Sequence, residues 1–292
     1  MNPYFIKGPA QIGLSGGRTS GYMMRKILDA HNGTLPSDVH AFFQNTGKEV
    51  EETLVFIEEM SQRWGVPVVW MEWCREWGQR KDAPWYRLVD FKTVSRRGEP
   101  FDMMLDYLRQ ISAGREECAA DPAELCKQPV HRLAQDKDRR EAHAKPGPRS
   151  LGQHRRYSLR EPRRYHRMMA ANDRGGRRWE HLTPLYHDGV TKEQVLEFWN
   201  QQPFDLGIDS DLGNCDLCWK KSEDKLYRAI IQDPSRVLWW PGTEEKFGQV
   251  FRQDRPKYAH MGWYAERMAT QDSFNFEAAG LVTEDIDCFC AD

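Results

Sequence analysis

Ser15-Gly16-Gly17-Arg18-Thr19-Ser20 constrains this chain more than any other stretch, because of what stands on either side of it. Residues 10–14 are short and partly apolar, as a buried strand is, and residues 22–28 carry the spacing of an amphipathic helix. A strand that turns through Ser-Gly-Gly into a helix has the geometry of a phosphate site. Glycine lacks a Cβ, so the backbone there can take φ > 0 and come close to a ligand. Successive N–H groups then face one concavity, and the helix N-terminus adds positive potential. Ser15, Thr19 and Ser20 supply hydroxyls and Arg18 a cation. The stretch matches neither G-x-G-x-x-G nor G-x-x-x-x-G-K-[ST], the two familiar glycine-rich phosphate loops.

The next residues repeat the alternation. Residues 39–44 read as a second buried strand, ending in Asn45-Thr46-Gly47-Lys48-Glu49. Leu54, Ile57, Met60 and Trp64 then recur at helical spacing, with Glu51, Glu52, Glu58 and Glu59 on the other face. Gly65 stops that helix, and residues 66–71 read as a third strand. A β-α-β-α-β run with short connections predicts a doubly wound parallel sheet that binds ligands at the carboxyl ends of its strands.

Ser15-Gly16-Gly17-Arg18-Thr19-Ser20 resembles the S-G-G-x-x-S pyrophosphate loop of the ATP pyrophosphatase (adenine nucleotide α-hydrolase) superfamily. Within it, the order strand, Ser-Gly-Gly, helix, strand, Asn45-Thr46-Gly47, then a helix ending Arg63-Trp64-Gly65, resembles the phosphoadenosine phosphosulfate (PAPS) reductase family. That family usually carries Asp-Thr-Gly where this chain has Asn45-Thr46-Gly47. The resemblance implies that this segment lies beside the nucleotide and contacts it through backbone and the Thr46 hydroxyl. It returns at Pro184-Leu185 and at residues 191–199, where Thr191 and Gln194 form a helix-capping box.

The middle of the chain is less regular. Residues 86–91 suit a strand, and Phe101, Met104, Leu105 and Leu108 suit a helix. Residues 127–180 hold sixteen Lys and Arg against six Asp and Glu, in a chain whose formal net charge is −2. Such a block suits a polyanion such as tRNA or DNA, or else a solvated arginine-rich helix pair. Inside it, Leu159-Arg160-Glu161-Pro162-Arg163-Arg164 resembles the family's arginine segment, two residues short. The resemblance implies nucleotide contacts for Arg163 and Arg164, and more weakly for Arg160. Guanidinium suits that role because it is planar, always charged and bidentate. Residues 134–158 show no apolar period and no strand where the family has one; divergence, an insertion or a frame error would each produce this.

Seven cysteines, an odd number with one C-x-x-C and one C-x-C, suit a reducing cytoplasm and thiol or metal chemistry rather than a disulfide scaffold. Cys215-Asp216-Leu217-Cys218 reads as a C-x-x-C opening a helix, whose N-terminus would lower both thiol pKa values. Cys215, Cys218 and Cys126 are the candidate metal ligands. Cys118, His131, the terminal Cys288 and Cys290, or the substrate itself are the candidates for a further position. Thiolates suit either zinc or an iron–sulfur cluster.

With 292 residues, the chain is expected to hold an α/β domain over residues 1–200 and a helical, cysteine-bearing part over 201–292. Leu226, Ile230, Ile231, Leu238, Trp239 and Trp240 are expected to face inward in the latter, and the acidic tail to be mobile. No apolar run approaches the roughly 18 residues that span a membrane, and residues 1–7 lack the apolar core of a signal peptide. The resemblance implies ATP or PAPS as ligand, with Mg²⁺ on its phosphates. Its expected chemistry is attack at the α-phosphate with pyrophosphate release, in adenylation or sulfur transfer, with Arg18, Ser20, Arg163 and Arg164 catalytic. Two alternatives stand beside it: sulfonucleotide reduction by Cys288 or Cys290, and a non-catalytic nucleic-acid module. The Ser-Gly-Gly loop and the lack of a Glu-Cys-Gly-(Leu/Ile)-His tail weigh against the reductase. Oligomeric state and acceptor are not legible in the sequence.

Overall fold

Ala10, Ile12 and Leu14 are buried while Gln11 and Gly13 are not, and this period of two makes Ala10–Leu14 the first strand, β1. The structure, a computed structural model, describes residues 2–80, 82–113, 152–154, 162–173 and 180–268. Residues 15–17 lead β1 into helix α1 (Arg18–Ala30), which starts four residues earlier than its apolar period announces. Then come β2 (Val39–Asn45), α2 (Glu51–Trp64), β3 (Val68–Trp73), β4 (Tyr86–Val89) and α3 (Glu99–Ala113). Beyond them lie β5 (Gly152–His154), α4 (Pro162–Asp173), β6 (His181–Leu182), and the helices α5 (Pro184–His187) and α6 (Lys192–Asn200). Helices α7 (Glu223–Gln232), α8 (Trp239–Phe247) and α9 (Tyr258–Met268) complete the described chain, with a 3₁₀ turn at Pro234–Val237.

The six strands form one sheet in the order β4-β3-β2-β1-β5-β6. Every pairing is parallel except that of β4 with β3. The chain runs outward from β1 to β4 on one side and resumes with β5 on the other. The order therefore reverses at β1, and in open α/β sheets ligands collect outside the carboxyl ends at such a reversal. The α/β class expected from the sequence is the class observed.

The structure departs from the sequence expectations in the sheet and core. The third strand begins at Val68 rather than Val66. Gly65 takes φ 64° to close α2, and Val66 is consumed by that closure: its N–H donates to Ser61 O and its carbonyl accepts from Ser61 Oγ. Residues 134–158 do contain a strand, β5, whose Gly152, Gln153 and His154 pair with Ala10, Gln11 and Ile12. Three residues without apolar alternation leave no period to read, and the free edge of β1 supplies the template. Leu238, expected inside, is 76% exposed, because it stands between the 3₁₀ turn and α8 with its side chain outward.

Two apolar clusters account for most of the core. One joins β1, β2, α1 and α2 with Leu185, Val195, Trp199, Phe204 and Leu206. The other gathers Leu217, Trp219, Leu226, Tyr227, Trp240, Phe251, Tyr258 and Met261. A smaller cluster around Trp73, Leu105 and Leu108 lies under α3, with Trp239 and Phe247 packed against it. The capping box of α6 is formed, Thr191 Oγ1 accepting from Gln194 N–H and Gln194 Oε1 from Thr191 N–H.

Candidate functional site

Three loops meet beyond the carboxyl ends of β1 and β2. The first is Ser15-Gly16-Gly17. Gly16 has φ 80°, and a Cβ there would lie 2.2 Å from Thr53 Cγ2, so only glycine fits. Gly17 is the N-cap of α1 and has no side chain to satisfy the first turn, which also carries no acid. An N-terminus with no side-chain cap and no acid in its own first turn leaves N–H groups and its positive end available to an anion. Ser20, fully buried, closes the loop on itself by donating to Gly17 O at 2.9 Å.

Arg18 does something other than supply the loop's cation. Its Nε donates to Asp205 Oδ1 at 2.7 Å, and its Nη2 pairs with Asp205 Oδ2. Its Nη1 donates to Ile208 O at 2.8 Å and Ser210 Oγ at 3.0 Å, while Arg18 O accepts from Trp199 Nε1. The guanidinium is thus committed to the 205–210 segment, and the residue locks that segment to the start of α1. Burial pushes the Asp205 carboxyl up, but hydrogen bonds from Arg18 and backbone N–H groups prevail and hold it below the usual carboxylate range.

The second loop, residues 45–50, leaves β2. Asn45 is buried and donates to Glu72 Oε1 at 2.7 Å and Ser95 O at 2.8 Å, so its side chain braces the neighbouring strand. Gly47 has φ 78°, and a Cβ there would meet Gly98 N at 2.8 Å. The Glu49 carboxylate gathers the turn: it accepts from Thr46 N–H and Thr46 Oγ1 at 2.9 and 2.8 Å and from Lys48 N–H at 3.2 Å. The Thr46 hydroxyl, expected on a nucleotide, is spent on Glu49. Burial pushes the Glu49 carboxyl above its ordinary range, opposed by hydrogen bonds from Thr46 and Cys215.

The third loop carries Cys215 and Cys218, both thiols. It is stitched to the second by Val50 N–H to Asn214 O, Asp216 N–H to Lys48 O, and a bridge pairing Glu49 with Cys215. Cys215 Sγ donates to Glu49 Oε1 at 3.6 Å and lies 3.9 Å from Thr46 Oγ1. It is stitched to the first by Ser15 Oγ, which donates to Asn214 Oδ1 at 3.2 Å. Lys48 pairs with Asp216 at 2.8 Å, both side chains 10% exposed, and Asp216 Oδ1 also accepts from Leu217 N–H and Trp240 Nε1.

C-x-x-C does not open a helix, as the sequence suggested. Helix α7 starts five residues after Cys218, at Glu223. Between them Lys221 Nζ donates to the carbonyls of Gly213, Cys215 and Asp216 at 3.0, 3.0 and 3.4 Å, gathering this part of the loop around one ammonium. The electropositive influence on the thiols therefore comes from Lys221 and not from a helix end. Burial holds the Lys221 ammonium below its ordinary range, opposed by Cys218, Cys215 and Asp216.

Arg163 and Arg164 fall in the first turn of α4, which begins at Pro162. Arg160, Cys118, Cys126, His131, Cys288 and Cys290, most of the 127–180 block and the acidic tail lie outside the described residues. Among the described residues no group of three His, Cys, Asp or Glu is placed to hold a metal ion, and no helix is long and apolar enough to cross a membrane. Thr53, Asn214, Glu49, Lys48 and Asp205 were not legible as site residues, since each acts through a partner remote in sequence.

Fold and site define an α/β protein with an open, mainly parallel sheet and a glycine turn at its strand-order reversal, joined there to a thiol-bearing loop. No family model matches the chain. It is similar to an uncharacterized nin region protein, ORF290, of Escherichia phage lambda: 28% identical over 251 residues, covering 85% of this chain and 76% of that protein. Among solved structures it aligns with the U34-tRNA thiolase NcsA from Methanococcus maripaludis, solved with its [4Fe-4S] cluster. That match has 13% identity and a TM-score of 0.33, covering 97% of this chain and 81% of the other.

Proposed function

We propose that the protein binds ATP at Ser15–Ser20 and acts at its α-phosphate, activating an acceptor by adenylation for substitution by sulfur. The observation that carries this reading is the uncapped, acid-free N-terminus of α1 behind a glycine turn, at the point where the strand order reverses. In this reading the β- and γ-phosphates sit on the backbone N–H groups of Gly17 to Ser20, with the Ser15 and Thr19 hydroxyls beside them. Arg18 keeps the loop's shape through Asp205. Asn45, Thr46 and Gly47 form the adjoining wall through their backbone, and Arg163 and Arg164, in the first turn of α4, are the further arginines proposed to contact the nucleotide. The acceptor's nucleophile bonds to the α-phosphorus, the bond to the bridging oxygen breaks, and pyrophosphate leaves with that electron pair. Mg²⁺ on the phosphates supplies charge neutralisation.

Cys215 and Cys218 would hold a zinc ion or an iron–sulfur cluster. Two thiols in one tight turn suit soft metals, and Cys126 is the third ligand proposed. The basic block would carry the acceptor, a tRNA or DNA.

Gly17→Val tests the nucleotide site. Gly17 has φ −92° and ψ 164°, which valine adopts freely, so in this reading its side chain would obstruct the anion site without straining the backbone of the turn. Calorimetry should show ATP binding by the parent and none by a folded Gly17→Val protein. Equal affinity in the two would refute the site.

A further inference from the structure

The residue preceding Cys215 has the most unusual backbone in the site. Asn214 is 5% exposed and holds φ 61°, a left-handed conformation that asparagine tolerates better than other side-chain-bearing residues. Three groups of this residue go to three different elements. Its N–H donates to Thr53 Oγ1 of α2 at 2.9 Å. Its carbonyl accepts from Val50 at the exit of the second loop at 3.0 Å. Its Oδ1 accepts from Ser15 Oγ in the glycine turn at 3.2 Å. Ser15 Oγ in turn accepts from Gly17 N–H at 3.4 Å. One side-chain oxygen therefore links the glycine turn to the residue adjoining a thiol.

We propose that Asn214 is a positioning residue that couples occupancy of the Ser15 turn to the setting of Cys215; the idea rests on the nucleotide reading above. A phosphate oxygen is a stronger acceptor than a neutral amide oxygen, since a hydrogen bond to a charged acceptor is about twice as strong. A phosphate at the turn draws the Ser15 hydroxyl proton and the Gly17 N–H to itself. Asn214 Oδ1 then loses its donor in a site with almost no access to water, and a buried acceptor left without a donor is costly. The side chain must move, and the backbone that bears it continues directly into Cys215. That thiol is 3.6 Å from Glu49 and held by the same stitching that joins Asp216 N–H to Lys48 O. ATP thus changes how firmly the thiol loop is held, without touching a cysteine.

Asn214→Gly keeps the left-handed backbone and the two backbone hydrogen bonds and deletes only the side-chain link. The test is amide hydrogen exchange of the full-length protein at Asn214, Cys215 and Asp216, with and without saturating ATP, alongside calorimetric ATP affinity. In the parent, ATP should change exchange at these amides by about three- to tenfold, the weight of one hydrogen bond. In Asn214→Gly that ATP-dependent change should vanish while the protein still binds ATP. Ser15→Ala removes the other end of the same bond and should also abolish the change at saturating ATP, which keeps the test decisive if Asn214→Gly does not fold. An undiminished change in either folded variant overturns the coupling. So does a parent that binds ATP without any change at residues 214–216, and in that case the nucleotide reading stands. A parent that binds no ATP removes the nucleotide reading and the coupling with it.

Discussion

At the scale of single residues, the two glycines of the turn have different tasks and different expected failures. Gly16 serves the fold. Gly16→Ala meets a left-handed backbone and a Thr53 methyl at 2.2 Å, so α2 must shift. A loss of about 2–4 kcal/mol is expected in chemical denaturation, from the strained dihedral and the overpacking together. Gly17 is the one proposed to face the nucleotide, and its valine variant should leave the denaturation midpoint close to the parent's. A Gly16→Ala protein as stable as the parent would show that the turn has room the structure does not give it. The glycine pair and the flanking hydroxyls were legible because they are contiguous. Asn214 and Glu49 were not: Asn214 meets Ser15 across 199 positions, and Glu49 meets Cys215 across 166. No local pattern encodes such partners. Arg18 was legible as a cation in the right place, but an aspartate in a later segment decides what the cation binds.

At the scale of elements, the chain reads well where apolar periods are long and poorly where a segment is short. β1, β2 and α2 run for 5, 7 and 14 residues and declare themselves by period. β5 has three residues and is defined by its neighbour. The helix expected at Cys215 starts only at Glu223, after a loop whose carbonyls at Gly213, Cys215 and Asp216 converge on Lys221 Nζ. The joint between α1 and the 205–210 segment offers a pH test. The folded state holds the Asp205 carboxyl below its ordinary range of about 3.9, so the unfolded chain takes up that proton first as pH falls. The Arg18–Asp205 pair therefore stabilises the fold above that range, and its contribution is lost as pH drops through the folded value. Asp205→Asn should cost about 0.5–1 kcal/mol at neutral pH, a modest figure because the carboxylate is 38% exposed and screened. The deficit against the parent should shrink in urea titrations repeated towards pH 3. A pH-independent deficit would assign the effect to packing and not to charge.

At the scale of the whole molecule, the candidate site lies where the β1–α2 core meets the cluster of α7, α8 and α9, and one buried ion pair crosses that junction. Lys48 belongs to the loop after β2, while Asp216 is held by Trp240 of α8. Lys48→Met leaves the Asp216 carboxylate buried without its cation, and about 3 kcal/mol should be lost in denaturation. The double variant Lys48→Met/Asp216→Asn should recover part of that loss, since neutralising the partner removes the uncompensated charge. The thiols at the same junction pose the larger question of what the second half of the protein contributes. The contacts of this loop with Lys221, Glu49 and the Ser15 turn hold it in place with or without a metal. If Cys215 and Cys218 do hold one, a single turn supplies two of its ligands. Anaerobic purification followed by metal analysis should find one zinc ion or one iron–sulfur cluster per chain, and Cys215→Ser should lose it. Iron with broad visible absorption near ~400 nm would assign a cluster; colourless stoichiometric zinc would assign a tetrahedral thiolate site. Cys126→Ser separates the ligand set from the loop, because it removes a proposed ligand without touching any contact described for residues 213–221. Retention of full metal by Cys126→Ser would move the third ligand elsewhere. A parent free of metal, with Cys215→Ser equally stable and equally able to bind ATP, would refute the metal centre altogether.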